Sequence, residues 1–436
     1  MKTITRRRIL SYSLGGSAAL GGMGTLAIRS GSASPNEKVN VAVIGINGMG
    51  HFHVRTLANR TDAHIVALCD VDPAVLQKVS ETVKNATGKT PKLEGDFRQV
   101  LADPSIEAVV IATPHHWHAP MALRAMKAGK DVYVEKAASH VFREGQLLVE
   151  AERKYNRIFQ HGTQMRASPL LARAGEILAA GTLGEIKTTK AWNVQRQIER
   201  PVAPDAPVPE GVDYDRWLGP APRRPFNPNR FHRNWRLFRD YSNGDIGDDG
   251  AHDLDLARWA LGVDTHPERI TAHGSQIDLA GAREYPDNMM VAYQYGQGKV
   301  LLYEERLWTP YGLHGYDSGN TFYGTEGYMV LSRRGYFQVY MGKKEHEGEG
   351  MKEGSLAETG RQNMAQFLQC VRDRSRPTAP AREAHLSCAL IHLGEIAYRL
   401  SQVLHFDPEN ERFSNNARAD AMLTKDYREP WSVEGL

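Results

Sequence analysis

The run Val41-Ala42-Val43-Ile44-Gly45-Ile46-Asn47-Gly48-Met49-Gly50 sets an apolar segment directly against three closely spaced glycines. Four consecutive apolar residues predict a strand buried on both faces, and the mixture of polar and apolar residues from His51 to Ala58 predicts a helix after it. Strand, tight turn and helix make an elbow whose backbone N–H groups can approach a pyrophosphate, with the positive end of the helix behind them. Gly45, Ile46, Asn47, Gly48, Met49 and Gly50 are therefore candidate cofactor-binding residues. The pattern departs from G-x-G-x-x-G at Asn47, and such clusters also mark ordinary turns, so context has to decide.

A second buried run, Ile65-Val66-Ala67-Leu68-Cys69, ends in Asp70, 25 residues beyond Gly45 and close to where a ribose-binding carboxylate stands. An acid there bonds a free 2′-hydroxyl and repels a 2′-phosphate, which points to NAD and leaves NADP as the lesser option. An exposed turn aspartate is the alternative for Asp70. A helix from Pro73 to Asn85, a strand Ala108 to Ala112, a helix Ala119 to Ala128 and a strand Asp131 to Val134 continue the alternation. Residues 35–157 are thus expected to form an α/β domain with a parallel, doubly wound sheet of the Rossmann type. Ligands bind at the carboxyl ends of such strands, where Gly45, Asp70, Thr113 and Lys136 fall.

Length and charge narrow the partners. A chain of 436 residues, 41% hydrophobic and 24% charged, has room for two domains, and a net charge of +3 builds no basic field for nucleic acid. Cys69, Cys370 and Cys388 lack C-x-x-C spacing, and His115, His116 and His118 share one loop without an adjacent carboxylate or cysteine, so no metal site is expected. Thr5-Arg6-Arg7-Arg8-Ile9-Leu10, a glycine- and alanine-rich segment and small residues up to Ser34 fit a twin-arginine export signal over residues 1–34. The segment is too short and glycine-diluted for a stable membrane anchor. The expected location is periplasmic or otherwise exported, with the twin-arginine machinery as a partner. Outside the cytoplasm no pool of nicotinamide nucleotide is replenished, so the cofactor is expected to be tightly bound.

Residues 158–436 read as an α+β domain with a large, mostly antiparallel open sheet. A helix spans Leu170 to Ala180 and a strand Ile186 to Trp192; a hairpin joins Asn288–Tyr295 to Lys299–Trp308, and strands follow from Asn320 to Ser332 and from Tyr336 to Lys343. The stretch Phe226 to Asp240, dense in arginine and aromatics, reads as a substrate-cleft wall, and charged, glycine-rich Lys344 to Gly354 as a mobile loop. Two closing helices, Arg361 to Asp373 and Arg382 to Leu400, look structural. If helical from Asp248, the segment sets Asp248, His252, Asp255 and Trp259 on one stripe. A capped helix with an internal salt bridge is the other reading of that spacing.

Taken together, Gly45 to Gly50, Ala67 to Asp70, Ile111-Ala112-Thr113-Pro114 with His118, Gly129 to Lys136, and Gly162-Thr163-Gln164 resemble the Gfo/Idh/MocA family of sugar and polyol oxidoreductases, in a secreted bacterial branch. The resemblance implies that Thr113, Pro114, Glu135, Lys136 and Gln164 belong to the cofactor site and that Trp117 and His118 line its nicotinamide edge. It also implies an active site of Lys136, Asp248 and His252. His252 would take the hydroxyl proton, Asp248 would orient its ring and bind a substrate hydroxyl, and Lys136 would hold the carbinol oxygen or relay the proton. The family pattern Glu-Lys-Pro is Glu135-Lys136-Ala137 here, and loss of the proline allows a trans peptide. A homo-oligomer, dimer or tetramer, is expected by analogy. Two other functions stay open: an NAD-dependent glycoside hydrolase working by transient oxidation and elimination, and a non-catalytic dinucleotide- and sugar-binding protein.

Overall fold

In the computed structural model, which describes residues 38–279, 281–414 and 416–436, β1 (Val39–Ile44) is a central strand buried on both sides. Val41 and Val43 pack with Val54 and Leu57 of α1 (Met49–Ala58), while Ala42 and Ile44 enter the core on the opposite face. The export signal predicted over residues 1–34 lies outside the described residues.

β2 (Ala63–Cys69), α2 (Pro73–Thr87), β3 (Lys92–Glu94), α3 (Phe97–Ala102), β4 (Ala108–Ile111), α4 (His115–Lys127), β5 (Asp131–Val134), α5 (Phe142–Tyr155) and β6 (Phe159–His161) complete the first unit. All six strands run parallel in the order β3-β2-β1-β4-β5-β6. Local punctuation explains several boundaries. Asp72 caps α2 through the Ala74 and Val75 N–H groups with Pro73 at the first position, and Gly88 closes it in the left-handed region. The expected boundary at 157 is too early: β6 pairs with β5, so the parallel sheet extends to His161.

The second unit begins with α6 (Pro169–Ala179) and β7 (Ile186–Val194), followed by α7 (Tyr214–Leu218), α8 (Gly244–Gly247), α9 (Gly250–Leu261) and β8 (Arg269–Ser275). After β9 (Asn288–Gln294), β10 (Val300–Arg306), β11 (Ser318–Gly324), β12 (Gly327–Ser332), β13 (Tyr336–Met341) and β14 (His346–Lys352) come α10 (Leu356–Asp373) and α11 (Ala381–Leu400). The chain ends with β15 (Leu404–Asp407), β16 (Arg412–Phe413) and α12 (Ala417–Ala421). The ten strands form one open sheet, β14-β13-β12-β11-β7-β10-β9-β8-β15-β16, antiparallel except where β7 meets β10. Residues of α6, α9 and α11 pack on one face, and Met290, Leu302 and Tyr323 are exposed. α10 returns to the first sheet, burying Met364, Phe367 and Leu368 in the core that holds Val41 and Val43.

Two expectations fail. Lys344 to Gly354 is no loop, because β14 pairs with β13 at the edge of the sheet. Its side chains are almost all exposed, so charge and glycine mask the strand pattern. The helix does not start at Asp248 either: that residue has φ −85° and ψ −86°, between α8 and α9. Asp255, expected on the same stripe, turns into the core and receives two hydrogen bonds from Arg166 and one from Ser387.

Candidate active site

The glycine elbow has the geometry its sequence predicts. Gly48 has φ +49° and a Cβ there would meet nothing within 4 Å among the described residues, whereas a Cβ on Gly50 would lie 1.8 Å from the Gly45 carbonyl oxygen. One glycine thus keeps space open in front of α1, and the other lets helix and strand close up. Among the described residues no side chain caps the N-terminus of α1. Asp70, at the end of β2, accepts the Ile46 N–H at 3.0 Å and the Asp72 N–H at 3.2 Å, tying the elbow to the neighbouring strand. These residues fit a dinucleotide pyrophosphate and its adjoining ribose. Asn47 lies on the elbow with its own Oδ1 accepting the Gly48 N–H at 3.0 Å.

At the mouth of the same sheet, Lys136 follows β5 and reaches into the second unit. Its Nζ donates to the Asp248 carbonyl oxygen at 2.8 Å and to the Asp248 carboxylate. The other Asp248 oxygen pairs with Arg236 Nε at 2.6 Å. Burial raises the pKa of this carboxyl, but the Arg236 and Lys136 charges outweigh it and hold the acid well below the usual range. The Lys136–Ala137 peptide is cis, so the trans geometry allowed by the missing proline is not adopted.

His252, in the first turn of α9, is buried, and burial followed by the Lys136 and Arg333 charges lowers its pKa far below the ordinary imidazole value. The ring is therefore neutral at neutral pH. Among the described residues Asp248 does not bond this ring. The expected orienting role is corrected, because both Asp248 oxygens are taken by cations.

Around this pair lies a polar wall that sequence reading missed. Gln195 donates to Asp249 at 3.1 Å and Gln197 to Asp245 at 2.8 Å. Arg333 donates to Asp249 at 3.1 Å, and Arg283 to Asp245 at 3.2 Å. Burial lifts the Asp245 carboxyl to about 6 against the pull of Arg283. Arg236 comes from the arginine-rich stretch, lying 4.3 Å over the Trp235 ring. That stretch folds back on the first unit, where His232 meets Asp72 at 2.7 Å.

Two match models describe the chain's domains: the oxidoreductase family with NAD-binding Rossmann fold, Gfo/Idh/MocA, over residues 39–163, and the C-terminal alpha/beta domain of the same family over 183–311 and 350–433. The chain belongs to the Gfo/Idh/MocA family. This Gfo/Idh/MocA protein is 26% identical over 297 residues, 68% of its length and 74% of the relative's, to scyllo-inositol 2-dehydrogenase (NAD(+)) of Bacillus subtilis. It is 37% identical over 108 residues, 23% of its length and 24% of the relative's, to a glycosyl hydrolase family 109 protein of Stenotrophomonas maltophilia. A solved levoglucosan dehydrogenase in complex with NADH and levoglucosan shares its fold, with a TM-score of 0.67 at 18% identity, covering 85% of this chain and 99% of that one.

Within this oxidoreductase the other predicted cofactor residues divide. Thr113 and Pro114 lie at the end of β4, with the Thr113 methyl against Gly45. Glu135 is buried, accepting from His53 at 2.8 Å and from Gln164 at 3.3 Å. Burial raises its pKa, yet His53 and Lys136 outweigh this and lower it overall. Trp117 does not line the nicotinamide edge. Its indole N–H donates to the Arg216 and Trp217 carbonyls, both at 3.1 Å, and its ring packs on Trp431 and Phe97. An indole with a buried N–H needs acceptors, and α7 supplies them. Both His118 nitrogens face carbonyl oxygens, Ala137 and Thr113, each at 2.7 Å. The expected nicotinamide contact through those nitrogens gives way to bracing the loop after β5; burial lowers the His118 pKa while the two carbonyls raise it.

Proposed function

We propose that this protein oxidises a hydroxyl of a sugar, polyol or glycoside, using NAD held on the glycine elbow. The observation that carries the reading is the bond between Lys136 of the cofactor domain and Asp248 of the second domain, beside the neutral ring of His252. Gly45 to Gly50 and the N-terminus of α1 would hold the pyrophosphate, and Asp70 the ribose. NAD, when bound, supplies the hydride acceptor. His252 takes the proton from the substrate hydroxyl as the C–H bond gives up its hydride. Lys136 holds the carbinol oxygen, and Asp248 fixes the position of Lys136. The row Asp245, Asp249, Gln195 and Gln197 offers donors and acceptors matched to several hydroxyls, as a carbohydrate requires.

The relatives named for inositol and levoglucosan oxidation favour net dehydrogenation, and the residues 1–34 signal favours an exported enzyme that keeps its cofactor. The exposed Met290, Leu302 and Tyr323 would be covered by a second copy in a homo-oligomer. The test is to purify the exported form, identify by absorbance and mass any nicotinamide nucleotide carried with it, and screen sugars and polyols for its reduction. A protein with no such nucleotide and no affinity for added NAD sinks the reading. The relationship to glycosyl hydrolase family 109 proteins supports a second reading, in which oxidation, elimination and hydride return cleave a glycoside. Release of the aglycone from an aryl glycoside without net NADH selects it.

A further inference from the structure

The junction between α5, α11 and the β15–β16 turn holds a cluster that the oxidoreductase chemistry does not use. His266 precedes β8, His385 lies in α11, and Glu411 sits in the turn with φ 50°, left-handed backbone that a non-glycine residue seldom adopts. His266 Nε2 stands 2.9 Å and His385 Nε2 3.3 Å from the same oxygen, Glu411 Oε1. All three ligand atoms lie within 4.8 Å of one another.

We propose that His266, His385 and Glu411 bind one divalent transition-metal ion of the zinc type, with a water completing the coordination. Ligands about 2.0–2.1 Å from a tetrahedral zinc ion stand about 3.3 Å apart, close to the 2.9 and 3.3 Å between the two imidazole nitrogens and Glu411 Oε1. Two imidazoles and a carboxylate suit zinc, cobalt, nickel or copper better than magnesium or calcium, which take oxygen ligands. Glu411 is 29% exposed in its side chain, which leaves a route for a water ligand.

Three features set these side chains apart from an ordinary ion pair. Among the described residues, no lysine or arginine pairs with Glu411; its partners are the two imidazoles and the Gln146 amide, 2.8 Å from Oε2. That amide orients the carboxylate from outside, as the supporting groups of metal sites do. Secondly, the rings are wedged by aromatics: Phe142 lies 5.2 Å from His266 and 4.8 Å from His385. Thirdly, α5 carries a glycine in its interior at 145, where a Cβ would come within 2.3 Å of His385 Nδ1. Glycine there weakens the helix relative to alanine, and it admits the His385 ring. Among the described residues the Nδ1 atoms of both rings have no hydrogen-bond partner, so packing rather than outer hydrogen bonds aims them. A metal here joins the segment before β8 to α11 and the C-terminal turn, with Gln146 of α5 behind the carboxylate, and it acts on stability rather than on hydride transfer.

The test uses the full chain without an oligohistidine tag, stripped with chelator and dialysed. Zinc alone, then cobalt alone, is titrated in, with metal content, visible absorption and thermal midpoint as readouts. Expected are about one ion per chain, the visible bands of nitrogen- and oxygen-ligated cobalt, and a midpoint that rises with zinc and falls back with chelator. His266→Gln, His385→Gln and Glu411→Gln should each abolish the bands and the rise. The proposal is overturned if the wild-type protein takes up neither metal at micromolar concentration, or if all three variants bind as the parent does. Both overturning results leave NAD binding and sugar oxidation untouched, so this inference and the proposed function fail separately.

Discussion

Lys136 and Asp248, 112 residues apart, form the polar link between the two domains at the mouth of the parallel sheet. Because the ammonium bonds both the carbonyl and the carboxylate of one residue, its position depends on how the second domain sits on the first. Lys136→Met should lower kcat by about 10²–10⁴-fold, the range for a positioned proton-transfer group, while nucleotide fluorescence still reports a filled cofactor site. A variant with parental kcat on the true substrate would remove Lys136 from the reaction.

Arg236 holds the second Asp248 oxygen, so it should act on the reaction only through Asp248. Arg236→Ala should lower kcat/KM by roughly tenfold, as loss of one charge-assisted bond predicts. Removing this cation must raise the Asp248 pKa, so Asp248 joins His252 in setting the acidic limb of the rate profile, which moves toward neutral pH. Arg236→Lys, which keeps the charge, should restore the limb more fully than the rate. An unshifted limb in the alanine variant would make Arg236 a packing residue only.

Burial, Lys136 and Arg333 together depress the His252 pKa, and the sign of the consequence is clear. A base is active when unprotonated, so lowering its pKa extends activity into acid. The kcat/KM profile should show no fall centred near 6.5, the ordinary imidazole value, and should decline only at lower pH. Arg333→Gln removes one of the depressing charges and should move the decline upward.

The parallel, doubly wound sheet and the elbow were legible because local pattern carries them: Val41 to Ile44, Ile65 to Cys69 and Ala108 to Ile111 are apolar runs that fit doubly covered strands. Lys136 and His252 were singled out through short motifs that resemble the family's. Arg236, Arg333, Gln195 and Gln197 were not, since each reaches Asp248 or its neighbours by a tertiary route that leaves no spacing in the chain. Asp248 was misread as the partner of His252 for the same reason: a four-residue interval suggests a helical pair, while the cations that claim its carboxylate come from elsewhere. β14 was hidden because an edge strand exposed on both faces has no alternation to show.

Asp253 gives a stability prediction with a defined direction. Burial lifts its carboxyl to about 8, against the Arg333 charge, so the folded protein carries it protonated at pH 7 while the unfolded chain ionises near 4. The folded state therefore binds more protons between those values, and stability falls as pH rises from about 4 to 8. Asp253→Asn should flatten the dependence of the thermal midpoint on pH over pH 5–8, by up to about 1.4 kcal/mol per pH unit at constant temperature. Parallel curves for parent and variant would show that the group is ionised in the folded protein.

Trp117 separates a packing role from a cofactor role. Its ring lies 4.8 Å from Trp431 and 5.4 Å from Phe97, and a Cβ on Gly219 would come within 2.0 Å of it, so the indole fills its space completely. The buried N–H bonds two carbonyls of α7, which pins that helix against α4. Trp117→Ala should cost about 3–5 kcal/mol of stability, through the cavity and the freed carbonyls. Below its lowered melting temperature it should bind NAD with the parent's affinity, because the indole's contacts are with α7, Phe97 and Trp431. Trp117→Phe keeps most of the volume and loses only the N–H, so its smaller loss isolates the hydrogen bonds. A large rise in the Kd for NAD with little change in melting temperature would return Trp117 to the nicotinamide edge.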